Sequence, residues 1–184
     1  MSDVYRNKLK TQLREAYGRE TYAYTTHLKY MNILVERQKC VKTAQIIISA
    51  LSSGGIISTI FYNHLAIKLI SAIFSTLLLG INLYFKNFDL SDKIKQHRVT
   101  SDKLWDIRED YVSLLTDFET LTNEEIISER NELKNRTYTV YCHSPKTNSK
   151  SYKQAQQALK CDEEQFFSAE ELDRMLPEQL REKK

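Results

Sequence analysis

Residues 43–85 read TAQIIISALSSGGIISTIFYNHLAIKLISAIFSTLLLGINLYF, and this stretch decides the fold. It carries one formal charge, Lys68, whereas the whole chain of 184 residues carries 27 basic and 24 acidic side chains. A helix that crosses a bilayer needs roughly 20 mainly apolar residues. Two such segments fit here, at about 44–62 and 65–85, and the YNH sequence at 62–64 is the turn between them. We therefore expect two antiparallel transmembrane helices joined by a tight turn.

A hairpin buried inside a soluble helical bundle is the alternative for this stretch. A helix on the surface of a soluble protein usually carries a charged stripe, and neither segment does. Phe61 and Tyr62 stand at the turn, and Tyr84 and Phe85 stand at the far end. Aromatic residues collect at both interfaces of a membrane in this way. The pattern favours a transmembrane hairpin over a hairpin buried in a soluble bundle.

Basic residues flank the hairpin on the side of the chain termini. Three precede the first segment and four follow the second: Arg37, Lys39, Lys42, Lys86, Lys93, Lys95 and Arg98. The positive-inside rule then places both termini in the cytoplasm. The apolar run begins too far from residue 1 for a signal peptide.

Long amphipathic cytoplasmic helices are predicted on both sides of the hairpin. Residues 1–42 repeat apolar or small residues at a spacing of three and four, at Leu9, Leu13, Ala16 or Tyr17, Tyr24, Leu28, Met31 and Val35. A second stripe contains Leu90, Ile94, His97, Ser101, Leu104, Ile107 or Arg108, Tyr111, Leu115 and Phe118, in a helix expected to run from about 65 to 121. His97 and Ser101 weaken this second stripe because they are polar. We expect residues 1–42 to pair antiparallel with a stalk at 86–136.

The remainder, residues 137–184, is predicted to be a small helical module. Just before this module, in the predicted stalk, a capping box at 122–125 (TNEE) begins a helix to about residue 136. Inside the module, a second capping box at 168–171 (SAEE) begins a helix that ends near Pro177. Residues 137–142 have a strand-like composition, and 151–160 form a short helix after a loop. The predicted fold class is an all-α membrane protein with a transmembrane hairpin, long cytoplasmic helices and this module.

Chemical motifs give no enzyme class. Cys40, Cys142 and Cys161 are too widely spaced for a zinc cluster or a disulfide framework, and the four histidines are dispersed. With four glycines in the chain, no Gly-rich phosphate loop is present in the sequence. The net charge of +3 is small for a nucleic-acid binder. We expect no catalysis, no cofactor, no metal and no direct nucleic-acid contact.

Small and polar residues inside the hairpin are the candidate functional residues. They are Ser49, Ser52, Ser53, Gly54 and Gly55 in the first segment, and Lys68, Ser71, Ser75, Thr76, Gly80 and Asn82 in the second. Small residues let transmembrane helices approach closely, and Ala72, Thr76 and Gly80 form one such ridge. Asn82 should face protein or water, because its amide would otherwise be unpaired in lipid. Two interpretations stay open: helix packing within the hairpin and between subunits, or a polar face that lines a water path in an oligomer.

Three segments near the C-terminus carry a family resemblance: SKSYKQA at 149–155, FFSAEELD at 166–173 and LPEQLR at 176–181. With the two close spans, they resemble the SLATT family of bacterial two-transmembrane effector domains, which associate with nucleotide-sensing SMODS and SLOG proteins. The resemblance implies a homo-oligomeric effector in the bacterial inner membrane. Such an effector breaches the membrane when a nucleotide-signalling or other sensor protein detects phage infection. The alternative is a non-conducting membrane anchor or scaffold that recruits a cytoplasmic partner.

Overall fold

The computed structural model describes residues 3–61, 64–87 and 90–181, and across these ranges it contains helices and no strand. The helices are α1 (Asp3–Phe61), α2 (Leu65–Asn87), α3 (Leu90–Thr116), α4 (Asn123–His143), α5 (Ser149–Lys160) and α6 (Ala169–Met175), followed by a 3-10 turn at Glu178–Leu180. The predicted all-α class is confirmed for the described residues.

Helix α1 is the longest of the described helices, and three other helices pack against it. It has 59 residues, about 90 Å at 1.5 Å per residue, so the predicted N-terminal helix and first apolar segment form one uninterrupted helix. Its N-terminal part packs against α3 and α5, and its C-terminal part packs against α2. Helix α4 packs on α3. The expected antiparallel pairing of the N-terminal helix with the stalk is confirmed.

The hydrophobic core lies at the end of the bundle that is remote from α2. It is built from α1, α3 and α4 and contains Leu9, Leu13, Ala16, Ile107, Tyr111, Leu114, Phe118, Ile126 and Leu133. Arg6 closes this end, because its guanidinium lies over the Phe118 ring and donates to the carbonyl oxygens of Phe118 and Leu121. The same guanidinium donates to Asn123 at the start of α4. The turn between α3 and α4 is therefore tied to the first turns of α1.

The buried face of each long helix follows a seven-residue period that includes polar residues. In α1 the buried residues include Leu13, Glu20, His27 and Leu34. In α3 they include Leu90, His97, Leu104 and Tyr111, and Phe118 continues the period in the turn after α3. His97 and Ser101, the two polar residues of the predicted α3 stripe, are both buried. His97 meets His27 of α1, whereas the Ser101 hydroxyl has no hydrogen-bond partner among the described residues. That they weaken the stripe stays a prediction.

Several helix boundaries differ from the sequence prediction. Helix α3 ends at Thr116 rather than at 121, and a turn follows in which Asp117 O accepts from Thr120 N and Leu121 N. Residues 88 and 89, on which continuity of the 65–121 helix depends, lie outside the described residues. The strand-like run at 137–142 is helical and continues α4, since packing in the bundle overrides a weak strand preference.

Both predicted capping boxes are present, at Thr122 and at Ser168. Helix α5 begins at Ser149, two residues before the predicted start, because Asn148 caps it through the backbone N–H of Ser151.

Replacing Leu13 with alanine should destabilise the bundle formed by α1, α3 and α4. Leu13 is completely buried, so the substitution leaves a cavity, and we expect the free energy of unfolding to fall by about 2–5 kcal/mol. Urea unfolding of the full chain in detergent, followed by circular dichroism at 222 nm, measures this change. Val112→Ala is the control, because Val112 is exposed and should be close to neutral. Equal losses in the two variants would contradict the assigned core.

Candidate functional site: polar contacts along the first helix

A line of paired polar residues joins the C-terminal half of α1 to α2. The Gln45 side-chain amide donates to Asn82 Oδ1 at 2.8 Å. Further along, the hydroxyl oxygens of Ser52 and Ser75 lie 2.6 Å apart in a hydrogen bond. We call these two pairs, together with the contact of Gly55 and Ser71, the polar seam. Asn82 thus has a protein partner, as its amide chemistry requires in an apolar medium.

Gly55 marks the closest approach of the two helices. A Cβ built on Gly55 would collide with the Ser71 hydroxyl and would lie 3.2 Å from its Cβ. Ser71 is buried, and its hydroxyl has no hydrogen-bond partner among the described residues. Even a methyl group at position 55 would require the Ser71 hydroxyl to rotate away and the Ser71 Cβ to yield by a few tenths of an ångström, so the space here favours glycine.

The other candidate residues point away from the polar seam or lie at its edge. Gly54 and Gly80 are exposed, and a Cβ added at either would meet no atom within 4 Å. Thr76 donates its hydroxyl to Ala72 O within α2. Ser53 and Lys68 are exposed, and Ser49 is half-buried. The predicted set therefore separates into residues that face the partner helix and residues that face outward.

A groove of about 700 Å³ runs along the outward face of α2. Its lining is almost wholly apolar: Leu69, Ala72, Ile73, Thr76, Leu77, Gly80, Ile81 and Tyr84. The small-residue ridge of Ala72, Thr76 and Gly80 thus lies in this groove, on the side of α2 that faces away from α1.

Among the described residues, α2 is the one helix that is long and apolar enough to cross a bilayer. The qualifying segment is Leu65–Tyr84, with a mean hydropathy of 1.8, and 6% of it is buried inside the molecule. A core helix of a soluble protein would be mostly covered. The second span, expected at about 44–62 in α1, remains a prediction.

A second polar site, the histidine layer, lies in the helical bundle. His27 on α1 and His97 on α3 meet through their Nδ1 atoms at 2.9 Å, and Tyr30 packs edge-on against His97. This contact requires one ring to donate and the other to accept. Burial, together with the neighbouring ring, lowers the pKa of His27 from 6.5 to about 4. Burial also lowers the pKa of His97, so both rings are neutral at neutral pH.

Glu20 lies two turns before His27 on the same face of α1. It is 3% exposed, and its Oε1 accepts from the Thr137 hydroxyl of α4 at 3.4 Å. Oε2 has no partner within the described part of the chain. Burial raises the pKa of Glu20 from 4.5 to about 7, against smaller opposing effects of Thr137 and Arg19. A buried carboxyl that titrates near neutrality thus joins α1 to α4.

Sequence reasoning missed both Glu20 and the histidine layer. The available signal was the strict seven-residue spacing of Leu13, Glu20, His27 and Leu34, which places the two titratable residues on the buried line. A buried face that is identified from apolar residues alone leaves Glu20 and His27 out.

Groups for metal binding or nucleophilic catalysis do not converge in the ranges 3–61, 64–87 and 90–181. No cluster there contains three or more His, Cys, Asp or Glu side chains able to hold a metal ion. The three cysteines are exposed and unbonded to one another. His143 Nδ1 is engaged with Thr139 O at 2.8 Å.

The described chain is all-helical and joins one apolar helix of spanning length to a long helical bundle. The chain belongs to the family of SMODS and SLOG-associating 2TM effector domains, family 4 (SLATT_4), whose family model matches residues 9–171. The predicted family is thereby confirmed, and the matched range ends before the LPEQLR segment at 176–181. Neither the curated proteins nor the solved structures contain a match to the chain.

The polar seam leads to a prediction about two adjacent glycines. Gly55→Leu should separate α1 from α2 because the new side chain occupies the space of Ser71, whereas Gly54→Leu should leave the helix pair intact. The test is disulfide formation between Ser52→Cys and Ser75→Cys in a chain whose native cysteines are replaced by serine. Thiol counting by mass spectrometry reads the result. Efficient cross-linking in the Gly55→Leu chain would contradict the close approach.

The two buried titratable sites should have opposite effects on stability. Between pH 4.5 and about 7 the unfolded chain releases the Glu20 proton that the folded chain keeps, so the Glu20 contribution falls as pH rises. Between pH 6.5 and about 4 the unfolded chain binds a proton that folded His27 does not, so the His27 contribution falls as pH drops. Each contribution is worth about 3 kcal/mol over its full range.

Each substitution should therefore change the slope of the free energy of unfolding against pH relative to the natural chain. In Glu20→Gln, the slope between pH 4.5 and 7 should become more positive, because the falling Glu20 contribution is removed. In His27→Gln, the slope between pH 4 and 6.5 should become less positive, because the rising His27 contribution is removed. Urea unfolding of the natural chain and both variants at a series of pH values measures these changes. Changes of slope in the same direction in the two variants would refute the assignment.

Proposed function

We propose that this chain is a membrane effector of bacterial conflict systems that oligomerises and permeabilises the inner membrane when a partner senses infection. The observation that carries the proposal is α2, whose 20-residue apolar segment is almost entirely uncovered, in a chain of the 2TM effector family. An apolar surface of this length is stable when lipid or another apolar helix covers it.

Two membrane spans with both termini in the cytoplasm are part of the same proposal. Hydrogen bonds between α1 and α2 in the polar seam support a hairpin, since the two segments are already paired in the chain. The basic residues that flank the hairpin support the orientation. The exposed groove on α2, with its small residues, is a surface on which the hairpin of a second copy could pack.

The hydrogen bonds of the polar seam define which movement of α1 and α2 activation requires. Ser75 and Asn82 bond to Ser52 and Gln45, so they are not available to a water path in this arrangement. Permeabilisation would require α1 and α2 to rotate or separate so that these polar groups face the centre of an oligomer. Because α1 is one helix from the cytoplasmic bundle to the hairpin, a movement of the bundle is transmitted along it. We infer that a nucleotide-signalling or other sensor protein acts on the bundle.

A second candidate function is a non-conducting anchor that recruits a cytoplasmic partner. The same hydrogen bonds favour it, because a hairpin whose polar groups are satisfied internally is stable in lipid without any water path. Neither candidate function requires an enzymatic step or a cofactor.

Release of dyes of graded size from liposomes that contain the purified chain separates the two candidates. We expect release by the natural chain, and we expect Ser75→Leu with Asn82→Leu to reduce it to the level of empty liposomes, since polar groups for a water path are removed. Leu79→Val is the matched control, because Leu79 is exposed on α2 and remains apolar. Unchanged release in the double variant would argue against a polar path. If the natural chain releases nothing, even with lysate from infected cells, the anchor is favoured.

A further inference from the structure

A cleft of about 670 Å³ opens where α1 meets the end of α4 and the start of α5. Helix α1 contributes residues between 15 and 27, α4 contributes Tyr141, and the segment that follows contributes Thr147 and Tyr152. Binding sites for small molecules have this range of volume and often form where several elements meet. We call this site the tyrosine cleft, because Tyr22, Tyr141 and Tyr152 line it.

Gly18 lines the tyrosine cleft, and the packing of the chain does not account for it. It lies inside α1, where glycine is less favourable than alanine. A Cβ added at Gly18 would meet no atom within 4 Å, and no described glycine has a positive φ. Neither close packing nor backbone conformation therefore requires glycine here, in contrast to the close approach at Gly55. The missing side chain leaves the backbone of α1 open to an occupant of the cleft.

Tyrosine rings form much of the wall of the cleft. The rings of Tyr22 and Tyr152 have their centroids 6.0 Å apart, and their planes are inclined by 29°. Tyr141 and Tyr152 are each about half exposed, so part of their ring surface is available to a ligand. Aromatic rings pack favourably on one another in offset-stacked or edge-to-face arrangements. A planar aromatic group is therefore the chemistry that these walls fit.

The charge around the cleft is mainly positive. Residues 144–153, SPKTNSKSYK, contain three lysines and no acidic residue. On α1, Arg19 lines the cleft, and 64% of its side chain is exposed. Its Nη1 lies 3.9 Å from Glu15 Oε2, which is too far for a hydrogen bond, so the guanidinium can donate to a ligand. Glu15 offsets only part of the positive charge, and the cleft favours an anionic group.

We propose that the tyrosine cleft binds a small molecule that combines a planar aromatic ring with an anionic group. The ring packs against the tyrosines above the space left by Gly18, and Arg19 donates hydrogen bonds to the anionic group. Such a ligand contacts α1, the end of α4 and the start of α5 together, and it therefore ties the C-terminal region to the long helix. Binding is a property of the helical bundle and does not depend on the proposed function.

Isothermal titration calorimetry of the full chain in lipid nanodiscs tests the site with two sources of this chemistry. Adenosine 5′-monophosphate represents nucleotides, and indole-3-carboxylate represents aromatic acids. Adenosine and indole are their neutral counterparts. We expect one of the two anions to bind once per chain, and its neutral counterpart to bind about tenfold more weakly, because a hydrogen bond to a charged partner is lost. The absence of saturable binding by both anions would overturn the proposal.

Substitutions on α1 test where the anion binds. Gly18→Leu fills the cleft and should abolish binding. Gly54→Leu is the matched control, because Gly54 is another glycine of α1 at which an added Cβ meets no atom within 4 Å, and it lies outside the cleft. Circular dichroism at 222 nm verifies that both variants are folded. Full binding by folded Gly18→Leu would overturn the assigned position of the ligand.

The role of Arg19 has its own control. Arg19→Gln should weaken binding of the anion by about tenfold and leave binding of the neutral counterpart unchanged. Arg14→Gln should change neither, because Arg14 is an exposed arginine of α1 that does not line the cleft. Equal losses in the two variants, or an equal loss for the anion and its neutral counterpart in Arg19→Gln, would overturn the anion contact. Dye release is measured separately, so a chain that binds the anion and releases no dye contradicts permeabilisation alone.

Discussion

One uninterrupted helix sets the geometry of the whole molecule. Helix α1 is the common partner of α2, α3 and α5, and its buried line must match a different environment at each level. At the end remote from α2 the contacts of α1 are apolar, and at its middle they include a pair of histidine rings. Where α1 meets α2, the contacts are between hydroxyl and between amide groups. An α-helix keeps these levels at a fixed rise and rotation. A shift of register at one level would therefore misplace the contacts at every other level.

Polar groups are accommodated by the same means in the helical bundle and in the polar seam. A buried donor or acceptor without a partner costs more free energy than a hydrogen bond gains, so polar residues on packed helices are paired across the interface. Gln45 with Asn82 and His27 with His97 are both such pairs. Ser71, Ser101 and Glu20 each keep an unpaired buried oxygen within the described chain. Pairs of this kind fix the register of an interface more strictly than interchangeable apolar contacts do.

Much of the architecture follows from the sequence, because the determining signals are local. Lys68 is the single charged residue in 43–85, and this near-absence of charge predicted the apolar helix α2. The capping boxes at Thr122 and Ser168 predicted the starts of two helices. The helical state of residues 137–142 did not follow, since their intrinsic preference is overridden by packing. The candidate site was predictable as a set of small and polar residues. Which of these residues face the partner helix could not be predicted, because this depends on the register of the two helices. Gly54 and Gly55 are adjacent glycines of α1, and their different rotation about the helix axis places Gly55 against α2. The histidine layer was missed because a polar residue on a buried line is recognised by its partner, and the partner is 70 positions away.

The contacts of Arg6 have a consequence for the order of events during synthesis. This side chain binds Phe118, Leu121 and Asn123, partners between 112 and 117 positions later in the chain. Translation delivers α1 and both apolar segments before these partners exist, so the N-terminal part of α1 is synthesised well ahead of the residues that cover its buried face. In the proposed two-span arrangement, insertion of the hairpin into lipid can precede assembly of the bundle. Lipid would then hold α1 and the start of α3 side by side, which reduces the closure of a loop of more than a hundred residues to the zipping of two helices already joined at one end.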